Sequence, residues 1–215
     1  MKIPDLRDSN LAYETGFHIG DGTMTFRKKK NEYCVAYYGN VNEKQFYQKT
    51  ILPLLLQLFG FRPKVKTFRN SCYTRIYSKD LVLFKSQIIG LPVGNKNKLS
   101  TLPSVFTGRP TNLVKCLLAG IFDSDGSVKA VKRKPKLYPR LNITLKSKTI
   151  IEEIQSLFLS LGITSTVYQD KRFDKRIQKY TEVWRIDING LNNLRRFVNQ
   201  IPIRNPTHLR RIEVF

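Results

Sequence analysis

Residues 118–126 read Leu118-Ala119-Gly120-Ile121-Phe122-Asp123-Ser124-Asp125-Gly126, and residues 14–22 read Glu14-Thr15-Gly16-Phe17-His18-Ile19-Gly20-Asp21-Gly22. At an offset of 104 the two stretches share a glycine, an aspartate and the glycine that follows it. The match extends upstream: Ala12, Gly16 and Gly20 fall opposite Cys116, Gly120 and Ser124. In a helix the spacing i, i+4, i+8 lines such residues along one face, so each helix carries a stripe with almost no side chain. Glycine inside a helix costs roughly 0.8–1.0 kcal/mol relative to alanine. Close approach of two backbones is the compensation that explains two glycines in the first helix. The expected interface is therefore stripe on stripe, about a pseudo-twofold axis.

That packing brings Asp21 and Asp125 side by side at adjacent helix C-termini. A carboxylate is disfavoured there by the negative end of the helix dipole, and two together repel. A divalent cation removes the difficulty. Both carboxylates and the terminal carbonyls of Gly20 and Ser124 are hard oxygen donors of the kind such ions take. A metal held there suits phosphodiester hydrolysis, as Lewis acid and water activator. Asp123, the additional acid of the second stretch, reads as structural.

Working outward, each copy continues in the same order. Helices are expected at 10–21 and 111–124, with Asn10 and Thr111 or Asn112 as N-caps. Strand pairs follow at 23–29 with 33–41 and at 127–133 with 138–146, the segment Leu141 to Lys146 alternating apolar and polar. One-faced helices follow at 43–59 and 148–161. Second strand pairs lie at 63–68 with 72–77 and 164–170 with 180–188, and closing helices at 79–89 and 189–199. The chain is thus read as α+β, a duplicated αββαββα unit with two antiparallel sheets. The halves are 1–100 and 101–215, joined by a proline-containing linker at about 91–110.

The 215 residues hold 38 Lys+Arg against 16 Asp+Glu, a formal charge of +22. Divided at residue 110, the halves hold 18 basic with 7 acidic and 20 basic with 9 acidic residues, so each carries +11. A charge built into both halves suits a polyanion, nucleic acid first. No apolar run reaches the ~18 residues that span a bilayer. Three scattered cysteines (Cys34, Cys72, Cys116) fit neither a disulfide framework nor a zinc site, and the N-terminus lacks the apolar core of a secretory signal. Basic clusters at 27–30, 62–69, 129–136 and 171–179 fall within or beside the strand pairs. A two-stranded ribbon enters the major groove of DNA. The expected DNA contacts, to bases or phosphates, are Arg27, Lys28, Lys29, Lys30, Lys64, Lys66, Arg69, Arg75, Lys129, Lys132, Arg133, Lys134, Arg140, Lys171, Arg172, Gln178 and Arg185. Tyr37, Tyr38, Tyr73 and Tyr77 are read equally as groove contacts or as sheet packing.

The stretch 118–126 resembles the motif that names the LAGLIDADG homing endonucleases, and 14–22 is a looser copy with Glu14 and Ile19 in place of its first leucine and first aspartate. Two copies in one chain are similar to the single-chain members of that family. The resemblance implies a saddle of two sheets on double-stranded DNA, with the motif helices as interface and active-site floor. It also implies Mg²⁺-dependent cleavage of both strands at a long, rare, non-palindromic site by a monomer, with no membrane and no small-molecule cofactor. Mn²⁺ is expected to substitute and Ca²⁺ to bind without turnover. In the family a basic residue lies near the scissile phosphates where Lys146 stands. Its partner at offset 104 is Asn42, which makes the two catalytic halves unequal. An intracellular setting, archaeal or organellar, goes with the resemblance. An intron RNA maturase or an inactive DNA-binding regulator are the alternatives, and retention of both aspartates argues for cleavage.

Overall fold

The structure, a computed structural model, describes residues 1–95, 98–108, 111–133, 136–174 and 178–215. Helix α1 (Ser9–Asp21) begins after Asp8, whose carboxylate accepts the Asn10 amide at 2.8 Å. The cap therefore lies two residues before the expected Asn10, on an equally good capping side chain. Strands β1 (Gly22–Arg27) and β2 (Glu32–Asn40) follow. The expected single helix at 43–59 is divided into a 3₁₀ turn (Val41–Glu43), α2 (Lys44–Phe46), a π-helical turn (Tyr47–Ile51) and α3 (Leu52–Phe59). Pro53 has no N–H to donate, and its ring crowds the carbonyl four residues back. The backbone widens just before it, the Leu52 amide reaching the Tyr47 carbonyl. Strands β3 (Lys66–Phe68) and β4 (Ser71–Tyr77) and helix α4 (Lys79–Leu83), extended by a second π turn (Phe84–Ile88), complete the first half.

The second half repeats the order with α6 (Thr111–Asp125), β5 (Gly126–Arg133), β6 (Lys136–Leu145), α7 (Lys148–Ser160), β7 (Thr166–Asp174), β8 (Lys179–Asn189) and α8 (Leu191–Gln200). Two antiparallel four-stranded sheets result, ordered β1-β2-β4-β3 and β5-β6-β8-β7. Two short helices were not expected: α5 (Ser104–Thr107) in the connecting segment and α9 (Pro206–Ile212) at the C-terminal end. The connecting segment is packed rather than loose, with Leu99, Leu102 and Phe106 in the core. The Leu102 amide donates to the Glu153 carboxylate at 2.6 Å.

Every residue of α1 from Leu11 to Gly20 is buried, as befits a central helix with no solvent face. Its partner is α6, and the contact is backbone on backbone. A Cβ added to Gly16 would lie 2.0 Å from the Leu117 carbonyl oxygen, and one on Gly120 would lie 2.0 Å from the Tyr13 carbonyl oxygen. Ala12 and Cys116 are buried along the same line. The expected stripe-on-stripe packing is what the two helices form.

Two buried polar ties fix the surroundings. Asp123 accepts the Tyr13 hydroxyl at 2.7 Å and the Arg204 amide at 2.6 Å, joining α1, α6 and the segment before α9. Burial pushes its carboxyl up to about 6. Glu14, where the motif has leucine, meets the Lys85 ammonium at 2.6 Å and accepts the Tyr37 hydroxyl, all three fully buried. Burial pulls the Lys85 amine down, against the raising effect of Glu14.

Replacing Gly120 with alanine gains ~1 kcal/mol in helix propensity but forces a methyl into a backbone that cannot yield, at roughly 1–3 kcal/mol or more. Gly120→Ala and Gly16→Ala should therefore lower the thermal midpoint, and a raised midpoint would contradict the packing. His208 gives a second prediction. It is buried against the Phe122 ring, 5.1 Å between centroids, and burial, then the Arg211 charge, holds its imidazole down to about 4. Between about pH 4 and the unfolded value near 6.5 the unfolded chain takes a proton that the folded chain refuses. This group's stability is thus present above that range and is lost as the pH falls through it. His208→Phe should lose about 2 kcal/mol less than the parent chain between pH 7 and 4.5, from ~1.4 kcal/mol per pKa unit, measured by denaturant titration. Equal acid losses would contradict it.

Candidate active site and nucleic-acid interface

Because α1 and α6 cross at their glycines, their C-termini emerge together. A Cβ on Gly20 would meet the Ser124 hydroxyl at 2.1 Å and an Asp125 carboxylate oxygen at 3.0 Å. Asp21 and Asp125 both line one cavity of about 800 Å³, along with Gly20 and Lys146. The walls are Thr23 and Tyr38 from the first sheet and Thr144, Arg172 and Val183 from the second. Leu91, Pro92 and Asn95 of the connecting segment close one side. Ser124 lies just behind, its hydroxyl donating to the Gly120 carbonyl at 3.0 Å. Both carboxylates are part-exposed. Two carboxylates beside helix-terminal carbonyls form a hard-oxygen donor set that fits a divalent cation. Among the described residues no group of three or more Asp, Glu, His or Cys side chains is placed to hold a metal.

Asp21 has a partner the sequence reading missed. The Tyr47 hydroxyl donates to its Oδ2 at 2.9 Å from a fully buried ring. Burial, reinforced by Asp21, raises the Tyr47 phenol above its ordinary value. Its signal in the sequence was only an aromatic in an apolar stripe, which reads as core.

Asn42 is a correction. Gly22 pairs with Tyr37 across the first hairpin, whereas Gly126 pairs with Ile143, so the offset of 104 at the glycines becomes 106 in the second strand. The longer second hairpin makes Asn40, not Asn42, the register equivalent of Lys146. Asn42 does not line the cavity; it is exposed in the 3₁₀ turn, its amide donating to the Asn40 side chain at 3.0 Å. Asn40, a neutral amide in register with Lys146, also lies outside the cavity lining. Lys146 itself is exposed on the rim, and Ser147 caps α7 by accepting the Ile150 amide at 3.3 Å.

The core-distant faces of both sheets flank this cavity. On the first, Arg75 stacks over the Tyr73 ring at 4.8 Å and donates to the Tyr38 hydroxyl at 3.1 Å, while Tyr77, Phe68 and Lys66 stand exposed nearby. Tyr37 points the other way, into the core. Lys28–Lys30 form the exposed turn at the hairpin tip, beside Arg27, which pairs with Glu32 at 3.3 Å. Lys64 precedes β3 and Arg69 occupies the β3–β4 turn with φ 52°; strand β3 starts later than expected, after Pro63. On the second face, nearly buried Asp187 pairs with Arg140 at 3.3 Å and Arg185 at 3.2 Å and accepts the Tyr168 hydroxyl. Arg185 also reaches Asp170 at 3.2 Å, and Arg172 donates to Thr144 at 2.9 Å. Lys129 shares this face with Arg140, its register partner. Strand alternation carries Lys132 and Lys171 to the opposite face, pairing with Leu137 and Glu182, which corrects their assignment with the others. Gln178 is exposed in a turn at φ 51°. Lys134 lies outside the described residues, and of Arg133 only the strand position is described.

Residues 112–202 match the family model for a LAGLIDADG-like domain. The homing endonuclease I-DmoI in complex with DNA and Ca has the same fold, with TM-score 0.63 and 19% identity over 96% of this chain and 98% of that one. The LAGLIDADG homing endonuclease I-GzeII in complex with a DNA target gives 0.58 at 10% identity, over 93% and 86%. Among curated proteins, the ATP-dependent DNA helicase Hel308 of Methanocaldococcus jannaschii is 23% identical over 97% of this chain but 17% of its own length. The tRNA-splicing ligase RtcB of Pyrococcus abyssi is 26% identical over 94% and 23%. The chain thus spans less than a quarter of these two relatives. No helix among the described residues is long and apolar enough to cross a membrane.

Proposed function

We propose that this chain, which carries a LAGLIDADG-like domain within a duplicated two-sheet fold, is a divalent-metal-dependent endonuclease that cuts both strands of a long, non-palindromic double-stranded DNA site. The observation that carries the reading is the convergence of Asp21 and Asp125 at one cavity between two basic sheet faces. Two curated relatives with unrelated named activities share this one stretch, which separates the shared module from both activities and fits an independent unit.

Asp21, Asp125 and the neighbouring backbone carbonyls of Gly20 and Ser124 would hold Mg²⁺ or Mn²⁺. When bound, the metal supplies Lewis-acid polarisation of a phosphate and a more acidic water. The chain's own residues orient the duplex. The basic turn at 28–30 and Lys66 set its register through phosphates. Arg75, Arg140 and Arg185, each held by an aromatic or a carboxylate, present guanidinium groups that lose little freedom on contacting base edges. Lys146 places a cation beside one scissile phosphate, where charge develops. Unlike sheet faces read unlike half-sites, so the protein acts as a monomer.

A target recovered from a randomised duplex pool by selection in Ca²⁺ allows the test. Asp21→Asn and Asp125→Asn should each abolish double-strand cleavage in Mg²⁺ while retaining binding in Ca²⁺. Full cleavage by either would overturn the metal-pair assignment. Lys146→Met should slow one strand more than the other, so that nicked DNA accumulates before linear product, because among the described residues the cavity's lysine comes from the second half alone. End-labelled time courses decide it, and equal slowing of both strands would contradict the asymmetry.

A further inference from the structure

Resting on that reading, we propose that Tyr47 is a positioning residue that clamps Asp21 and makes the two metal-ligating carboxylates unequal. Its hydroxyl donates to Oδ2 of Asp21 at 2.9 Å, which restrains the carboxylate's rotation beside the cavity it lines. Partners of this kind outside the ligand set orient ligands and tune their donor strength.

The site is built to do this. Tyr47 is the first residue of the π-helical turn that precedes Pro53, and such turns recur at functional sites. Helix α7 of the second half is regular from Lys148 to Ser160. The phenol fits only because Gly39 has no side chain: a Cβ there would lie 2.8 Å from the ring and 2.9 Å from the hydroxyl. Phe17 and Phe46 hold the ring edge-on, at centroid distances of 5.7 and 6.3 Å.

The second half offers no phenol at the equivalent place, and the hairpin offset of 106 sets Tyr47 against Glu153. Counting from the caps Asn40 and Ser147 sets Tyr47 against Ile154. Counting back from the left-handed glycines Gly60 and Gly162 sets it against Thr149, and the motif offset sets it against Ile151. The tyrosine clamp is therefore a feature of the Asp21 side, and its loss should be felt first on the strand that side serves.

Tyr47→Phe keeps the ring and its packing and removes only the donor. Mn²⁺ is titrated onto the complex of the full chain with its selected target, and binding is read by the loss of free Mn²⁺ resonance. Strand-resolved cleavage is followed in parallel. The expected result is Mn²⁺ affinity weakened by roughly 10–100-fold at one site, with cleavage of one strand slowed and restored by added Mn²⁺. Gly39→Ala, which displaces the hydroxyl with Tyr47 intact, should reproduce the defect. Parent-like Mn²⁺ binding and cutting by Tyr47→Phe would overturn the proposal, as would equal loss on both strands that added Mn²⁺ does not restore. A parent chain that neither binds Mn²⁺ nor cuts would instead refute the nuclease reading beneath it.

Discussion

The contact on which everything else depends is the passage of one helix backbone against another at Gly16 and Gly120. Side chains of ordinary size would hold the axes 8–10 Å apart. Here each glycine's missing Cβ is occupied by a carbonyl of the facing helix. That closeness brings the helix C-termini together and sets Asp21 and Asp125 at one cavity. Each strand that follows starts directly at the helix end, at Gly22 and Gly126. The sheets therefore diverge from the same point, and their outer faces flank the carboxylates.

Around this near-symmetric centre the halves are chemically different. The first half buries the Glu14–Lys85 ion pair under Tyr37 where the second has Leu118. Buried pairs of this kind are costly to desolvate and costly to break. The first sheet face is aromatic, with Arg75 and Arg69 over its rings, and the second is a network of arginines around Asp187. The basic cavity residues Lys146 and Arg172 both come from the second half, and the phenol beneath the carboxylates comes from the first. Duplication accounts for the frame, and the differences make the two sheet faces and the two sides of the cavity chemically unlike.

Much of this was legible in the sequence because the deciding signals are local. The small stripes, the aspartate–glycine pairs and the strand alternation each need only a few residues to read. What escaped reading depended on distance in the chain or on small shifts of register. A constant offset points to Asn42, but the hairpin is longer in the second half and the offset shifts from 104 to 106. Lys132 and Lys171 share their clusters' sequence but not their face, because alternation sends neighbours to opposite faces. Tyr47 reads as core because it is core, and only its hydroxyl distinguishes it. Glu14 and Lys85 did leave a trace, each a charge within an apolar run, but only the tertiary fold says that they meet. The C-terminal α9 segment had no repeat to announce it, and its role is set by contacts with Asp123.

Anomalous diffraction from Mn²⁺ in a crystal of the chain with its target DNA tests the central claim most directly. The account predicts anomalous peaks in the cleft between the C-termini of α1 and α6, within coordinating reach of Asp21 and Asp125 and of the scissile phosphates. Manganese bound away from both aspartates, or scissile phosphates lying outside that cleft, would contradict it.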